Sequence, residues 1–185
     1  MKSFVSVKDL DLTASEVSSL DEYTGGESLW INNHLRDRNL HELNEHQKQL
    51  MKKYAYHLNN MINKSPPSKN ATTVYRGAEA MDEKWKYLKY GSELFFTQKG
   101  LISTSFNKST AIGFIEEYEN CCLLILRLPK GTRGLYIASN SMFNQLNEDE
   151  LLLPHGSKFI VRHRKIYKQE KKEIITYYAD LVSQL

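Results

Sequence analysis

The chain has 185 residues, of which 41% are hydrophobic and 25% charged, with nine glycines and four prolines. That profile excludes a disordered chain, and a chain of this size buries about 70% of its unfolded surface, so no disulfide or metal staple is required. A net charge of +3 is too mild to mark a nucleic-acid binder, and no apolar run approaches the ~20 residues a membrane helix needs.

The opening MKSFVSVKDLDLTASE places acids where an export signal needs an apolar core, so no signal peptide is expected. Thr13-Ala-Ser-Glu16 has the form of a capping box and starts a helical first third. A second helical stretch, Ser28 to Leu35, follows the Gly25-Gly26 break. The third is the clearest. Leu43, Leu50, Met51, Tyr54, Leu58, Met61 and Ile62 recur at helical spacing across 41–62. Lys64-Ser65-Pro66-Pro67 stops it.

Beyond Pro67 the texture becomes β-rich. The runs TTVYR, LFFT, LISTS, CCLLILRL, LYIA, ELLLP, KFIVRHRKIY and EIITYYADLV are separated by turns such as Pro129-Lys-Gly131 and Pro154-His-Gly156. Helical patches are expected at Met81–Lys89 and Ser109–Tyr118. Strands with scattered helices, without regular βαβ alternation, give an α+β fold. Neither a GxGxxG turn opening a helix nor a Walker A loop occurs. Cys121 and Cys122 are neighbours on an expected strand, so they point to opposite faces and should not bridge. With no CxxC and no HExxH, no metal is expected. The basic cluster Arg162, Arg164, Lys165, Lys168, Lys171 and Lys172 reads as a solvated hairpin rather than a nucleic-acid site.

Three features in the β-rich part carry chemistry. Arg76 ends a β run and is followed by Gly77. Ser103-Thr104-Ser105 sits on a strand after Gly100. Glu148-Asp149-Glu150 leads into Leu151-Leu152-Leu153-Pro154. Two residues apart on an extended chain, Glu148 and Glu150 share a face about 7 Å apart. Asp149, Leu151 and Leu153 take the other.

In this order the three features resemble the arginine-type mono-ADP-ribosyltransferases, whose pattern is Arg, then Ser-Thr-Ser, then Glu-x-Glu. The sequence is similar to the enzymatic domains of clostridial binary toxins and to transferases carried by some bacteriophages. Tyr23-Thr24-Gly25 with Ile31-Asn32-Asn33-His-Leu35, Lys99-Gly100-Leu101, Ala111-Ile-Gly-Phe114, Gly134-Leu-Tyr136-Ile137 and Pro154-x-Gly156-x-x-Phe159 extend the likeness from about residue 20 to the C-terminus.

The resemblance implies one transferase domain over 1–185. Its helical part is at about 1–65, and its β-rich NAD-binding core, at about 70–185, is a split β-sandwich of two packed, roughly perpendicular sheets. It implies NAD as the substrate cofactor, cleaved at the nicotinamide–ribose bond with ADP-ribose passed to a protein side chain. Glu150 is then the catalytic carboxylate and Ser103 its support. Arg76, with Gly77, Ser103 and Thr104, holds NAD, and Phe114 packs on nicotinamide. Glu148 takes the acceptor arginine, with Phe143 and Met142 in the loop 139–147 facing the acceptor protein. Some toxin relatives carry a second Arg after the phenylalanine, where this chain has Glu116, Glu117 and Glu119. One phosphate contact fewer is therefore expected. A monomer is expected, working in cytoplasm, its own or a host's, without membrane or nucleic-acid partners. Two other readings stay open at this level: an NAD glycohydrolase with water as acceptor, and a non-catalytic binding module on the same fold.

Overall fold

A computed structural model describes residues 3–38, 40–79, 88–90, 93–116, 121–137, 149–169 and 172–184. Thr13 and Glu16 form the expected reciprocal capping box at the start of α1 (Ala14–Glu22). Glu16, buried, also meets Lys64 at 2.8 Å, which ties the start of α1 to the end of α3 (Glu45–Lys64). A second capping box, Asn44 with Gln47, opens α3. Its apolar side, Met51, Ala55, Leu58, Met61 and Ile62, is buried, and Ser65 ends it before the two prolines. The diglycine breaks the helical path between α1 and α2 (Ser28–Leu35) as expected: within a π turn over Tyr23–Glu27 the chain kinks at Gly26, whose φ of 136° a side chain would resist.

The expected β runs form β1 (Thr72–Glu79), β3 (Glu93–Gln98), β4 (Ile102–Ser105), β5 (Cys121–Leu128), β6 (Leu135–Ile137), β7 (Glu150–Leu153), β8 (Ser157–Gln169) and β9 (Lys172–Ser183). One helical expectation is corrected. Leu88–Tyr90, the end of the patch placed at 81–89, is a strand, β2, drawn into pairing by Glu93–Phe95 of β3, while 81–87 lie outside the described residues. The second patch is helical as α4 (Lys108–Glu116).

Hydrogen bonds connect the strands in the order β2-β3-β8-β9-β5-β1-β4-β7-β6. All pairs are antiparallel except β5 with β9. The ladder has a weak seam. β1 and β4 share one register pair, Tyr75 with Ser105, whereas β1 and β5 share eight. The six-stranded and three-stranded parts on either side of this seam are the two halves of the split sandwich. Side chains from both, among them Phe96, Phe159 and Leu181 on one side and Ile102, Leu151 and Tyr136 on the other, meet in one core. The helices α1–α3 cover the opposite face of the smaller half through Leu101, Ile137 and Leu152. Cys121 and Cys122 are each buried in a different cluster on opposite faces of β5.

The basic run lies on the β8–β9 hairpin, as expected. There Arg162 is already engaged, bonding Asp180 at 2.8 Å and reaching Glu93 at 3.5 Å.

α4 lies on β1 at Gly77, where a Cβ would overlap the Ala111 carbonyl oxygen and crowd Ile115. One close approach that Gly77 permits is therefore that of α4. Gly77→Ala should destabilise the fold by about 1–3 kcal/mol, the usual cost of overpacking. The measurement is the denaturant midpoint at unchanged m-value.

Candidate active site

The site gathers at the seam. Arg76 points from β1 on the face opposite α4, because neighbouring residues of a strand alternate. Its Nη1 donates to the Ser103 carbonyl at 2.6 Å, which fixes the guanidinium against the first hydroxyl residue of β4. Its Nε is buried with no partner among the described residues.

β7 places Glu150 directly opposite Ser105 on one side and Ile137 on the other. Leu152, opposite Ser103, packs with the helical layer, while Leu151 and Leu153 enter the sandwich core. Glu150, Leu152, Ser103 and Ser105 therefore share the face turned toward α1 and α2. Ser103 stands diagonally from Glu150, within the reach of a cross-strand neighbour. Thr104 does not belong to this face. It is buried and its hydroxyl donates to the Leu151 carbonyl at 2.7 Å. Its hydroxyl proton is committed to the β4–β7 pair.

The helices close the site from above. Tyr23, on the π turn, is buried beside Glu150, Arg76, Asn32 and Arg36. Burial pushes its phenol well above the ordinary value, and the Glu150 carboxylate pushes the same way. Arg76, a bond from the Asn32 amide and Arg36 offset this only in part. Tyr23 thus keeps its proton. Arg36 ends α2, half-buried. Burial and the neighbouring Arg76 and Arg38 lower its pKa, the mark of cations crowded together. Gly100 makes room for this packing: a Cβ there would lie 2.5 Å from Asn32 Oδ1 and 3.0 Å from Arg36 Nε.

Sequence reasoning gave Tyr23 and Asn32 no chemical role and missed Arg36. The signal in the sequence was the adjacent pair Asn32-Asn33 on a short helix, with Arg36 one residue past the segment Ile31–Leu35. Arg36 supplies beside Arg76 the second guanidinium that the acidic stretch after Phe114 does not. Phe114 itself is 39% exposed on α4, across β1 from the Arg76 side chain. Glu148, Phe143 and Met142 lie outside the described residues.

The residues present fit an anionic dinucleotide. Arg36 and Arg76 are neighbours, Arg76 has a buried N–H that takes no acceptor among the described residues, and both arginines and the Glu150 carboxylate lie near the neutral Tyr23 phenol. Planar guanidinium forks suit paired phosphate oxygens, and a fixed carboxylate suits a sugar that becomes cationic as its glycosidic bond breaks. Among the described residues no group of three or more His, Cys, Asp or Glu could hold a metal, and no helix is long and apolar enough to cross a membrane.

Comparison with known proteins agrees with this class of site. The family described as ADP-ribosyltransferase exoenzyme matches residues 5–183, and the chain belongs to that family, whose members use NAD as the ADP-ribose donor. No curated protein matches the chain by sequence. Among solved structures it is similar to Plx2a, an ADP-ribosyltransferase toxin from Paenibacillus larvae, with 22% identity over 93% of this chain and 88% of that one and a TM-score of 0.69. It is also similar to BECa, an ADP-ribosylating toxin of C. perfringens determined with NADH, with 20% identity over 93% of this chain and 44% of that one and a TM-score of 0.69. A third is Vis from Vibrio splendidus, determined with agmatine, with 19% identity over 94% of this chain and 76% of that one and a TM-score of 0.67.

Proposed function

We propose that this transferase passes ADP-ribose from NAD to the guanidinium of a protein arginine, releasing nicotinamide. The observation that carries the reading is the grouping of Glu150, Arg76 and Arg36 around the buried Tyr23, with Glu150 at the end of a Glu-x-Glu segment. In this account Arg76 and Arg36 hold the pyrophosphate. The C–N bond between ribose and nicotinamide breaks, and its electron pair leaves with nicotinamide. Glu150, supported by Ser103, faces the cationic ribose. An arginine nitrogen then attacks the anomeric carbon, and Glu148 binds that guanidinium and takes its proton. Agmatine, captured by Vis, carries the same guanidinium as arginine, which favours this acceptor over water.

The division of roles between the glutamates is testable. Glu148→Gln should lose protein labelling from labelled NAD by about 100-fold, a typical contribution of general-base catalysis, yet still release nicotinamide. Equal loss of labelling and nicotinamide release in that variant would refute the assignment.

A further inference from the structure

The outer strand of the β8–β9 hairpin leaves open what a packed strand covers. Residues 162–167 follow one another in β8 and every one of them is exposed. A strand sends alternate side chains to opposite faces, so neither face of this stretch is buried. Two of the six are large and apolar: Ile166 is 49% exposed and Tyr167 48%. Their partners across the hairpin, Ile175 and Ile174, pack against the clusters on opposite faces of the sheet. Ile166 and Tyr167 thus carry each apolar face outward into solvent. Cations accompany them. Arg162 is held by Asp180 and Glu93. Arg164 and Lys165 meet no acid among the described residues, and lie instead over the Tyr177 and Tyr178 rings at 6.0 and 5.9 Å.

We propose that the outer strand of this hairpin docks on an anionic lipid surface, seating the transferase on a membrane without a spanning helix. A bilayer interface satisfies both features at once. It surrounds a two-stranded ribbon, so it takes Ile166 on one face and Tyr167 on the other, at a depth where a tyrosine keeps its hydroxyl wet. The stems of Arg164 and Lys165 stay along the rings while their charges remain among the headgroups. Anionic lipid supplies the counter-charge that these two cations lack. A nucleic-acid strand fits less well, because it needs open rings on one face. Tyr177 is buried. Tyr178 is already met by His163 at 5.6 Å, by Lys165 and by the Tyr167 hydroxyl. The expectation of a solvated hairpin with no membrane partner counted its charges. The apolar pair escapes that count, since Ile166 and Tyr167 never share a face. Docking of this kind is independent of which side chain accepts ADP-ribose.

Co-sedimentation of the full chain with two kinds of vesicle tests it: phosphatidylcholine alone, and equal parts of phosphatidylcholine and phosphatidylserine. The protein should sediment with the mixed vesicles, stay in solution with phosphatidylcholine alone, and be released by high salt. Arg164→Gln and Lys165→Gln should each weaken partition by about 5-fold. Ile166→Ser and Tyr167→Ser should each weaken it by about 10-fold, as the apolar contact with the acyl boundary is lost. Nicotinamide release in solution and the thermal transition should stay at wild-type values in all four, because none of them touches the site. Three results would overturn the proposal: no binding to the mixed vesicles, equal binding to both kinds, or wild-type binding by the four variants. Capture of single-stranded RNA in place of vesicles, lost in the same variants, would overturn it in favour of a nucleic-acid partner.

Discussion

Glu150→Gln should reduce both nicotinamide release and transfer by about 100- to 1,000-fold, the usual cost of losing one preorganised electrostatic contact to a transition state. The change keeps the size and hydrogen-bonding reach of the side chain and removes only the charge. Since Glu150 is held in β7 by pairing on both sides, the strand should stay in place and the thermal transition should move little. The loss should fall on kcat rather than KM, because the carboxylate matters most when the ribose is cationic. A Glu150→Gln protein that turned over NAD at a wild-type rate would remove Glu150 from the chemistry. Steady-state nicotinamide release at saturating NAD measures it.

Arg76→Ala should act differently. Its guanidinium is assigned to the pyrophosphate, which is present before and during bond cleavage, so its loss should raise KM for NAD with a smaller change in kcat. A charged hydrogen bond of about 1.5–3 kcal/mol corresponds to roughly 10- to 100-fold in kcat/KM. Arg76→Lys should rescue little, since an ammonium lacks the planar fork. It would also have to replace the bond to the Ser103 carbonyl at 2.6 Å. Arg36→Ala should shift KM in the same direction, and the two together should exceed either alone. Isothermal titration with NAD, compared across the wild type, the three single variants and the double variant, checks this.

The parts of this site that the sequence reveals are those carried by strands. Arg76, Ser103 and Glu150 sit in short motifs whose period-2 alternation fixes which neighbours share a face. That same alternation already separates Thr104 from Ser103 and Ser105, so its burial behind Leu151 follows from a rule that applied to it from the start. The face of Asp149 was legible on the same ground, and the bond its Oδ1 accepts from the Tyr136 hydroxyl at 2.8 Å was not, because β6 and the approach to β7 meet only in the folded sheet. Tyr23, Asn32 and Arg36 were illegible as a site for another reason. They belong to helices whose signal is the apolar periodicity of the buried side, and that signal does not tell which polar residues end over a distant strand. Gly77 shows the limit of reading a glycine: the sequence marks a close approach, and only the packing of Ala111 against β1 tells whose.

Arginine transfer from NAD at Glu150, with Glu148 serving the acceptor, is measured most directly by mass spectrometry of agmatine incubated with NAD and the intact protein, beside Glu148→Gln and Glu150→Gln. The wild type should give ADP-ribosyl-agmatine and free nicotinamide, Glu148→Gln nicotinamide with little adduct, and Glu150→Gln hardly any of either product. NAD left intact by the wild type, or an adduct formed as readily by Glu148→Gln, would contradict it.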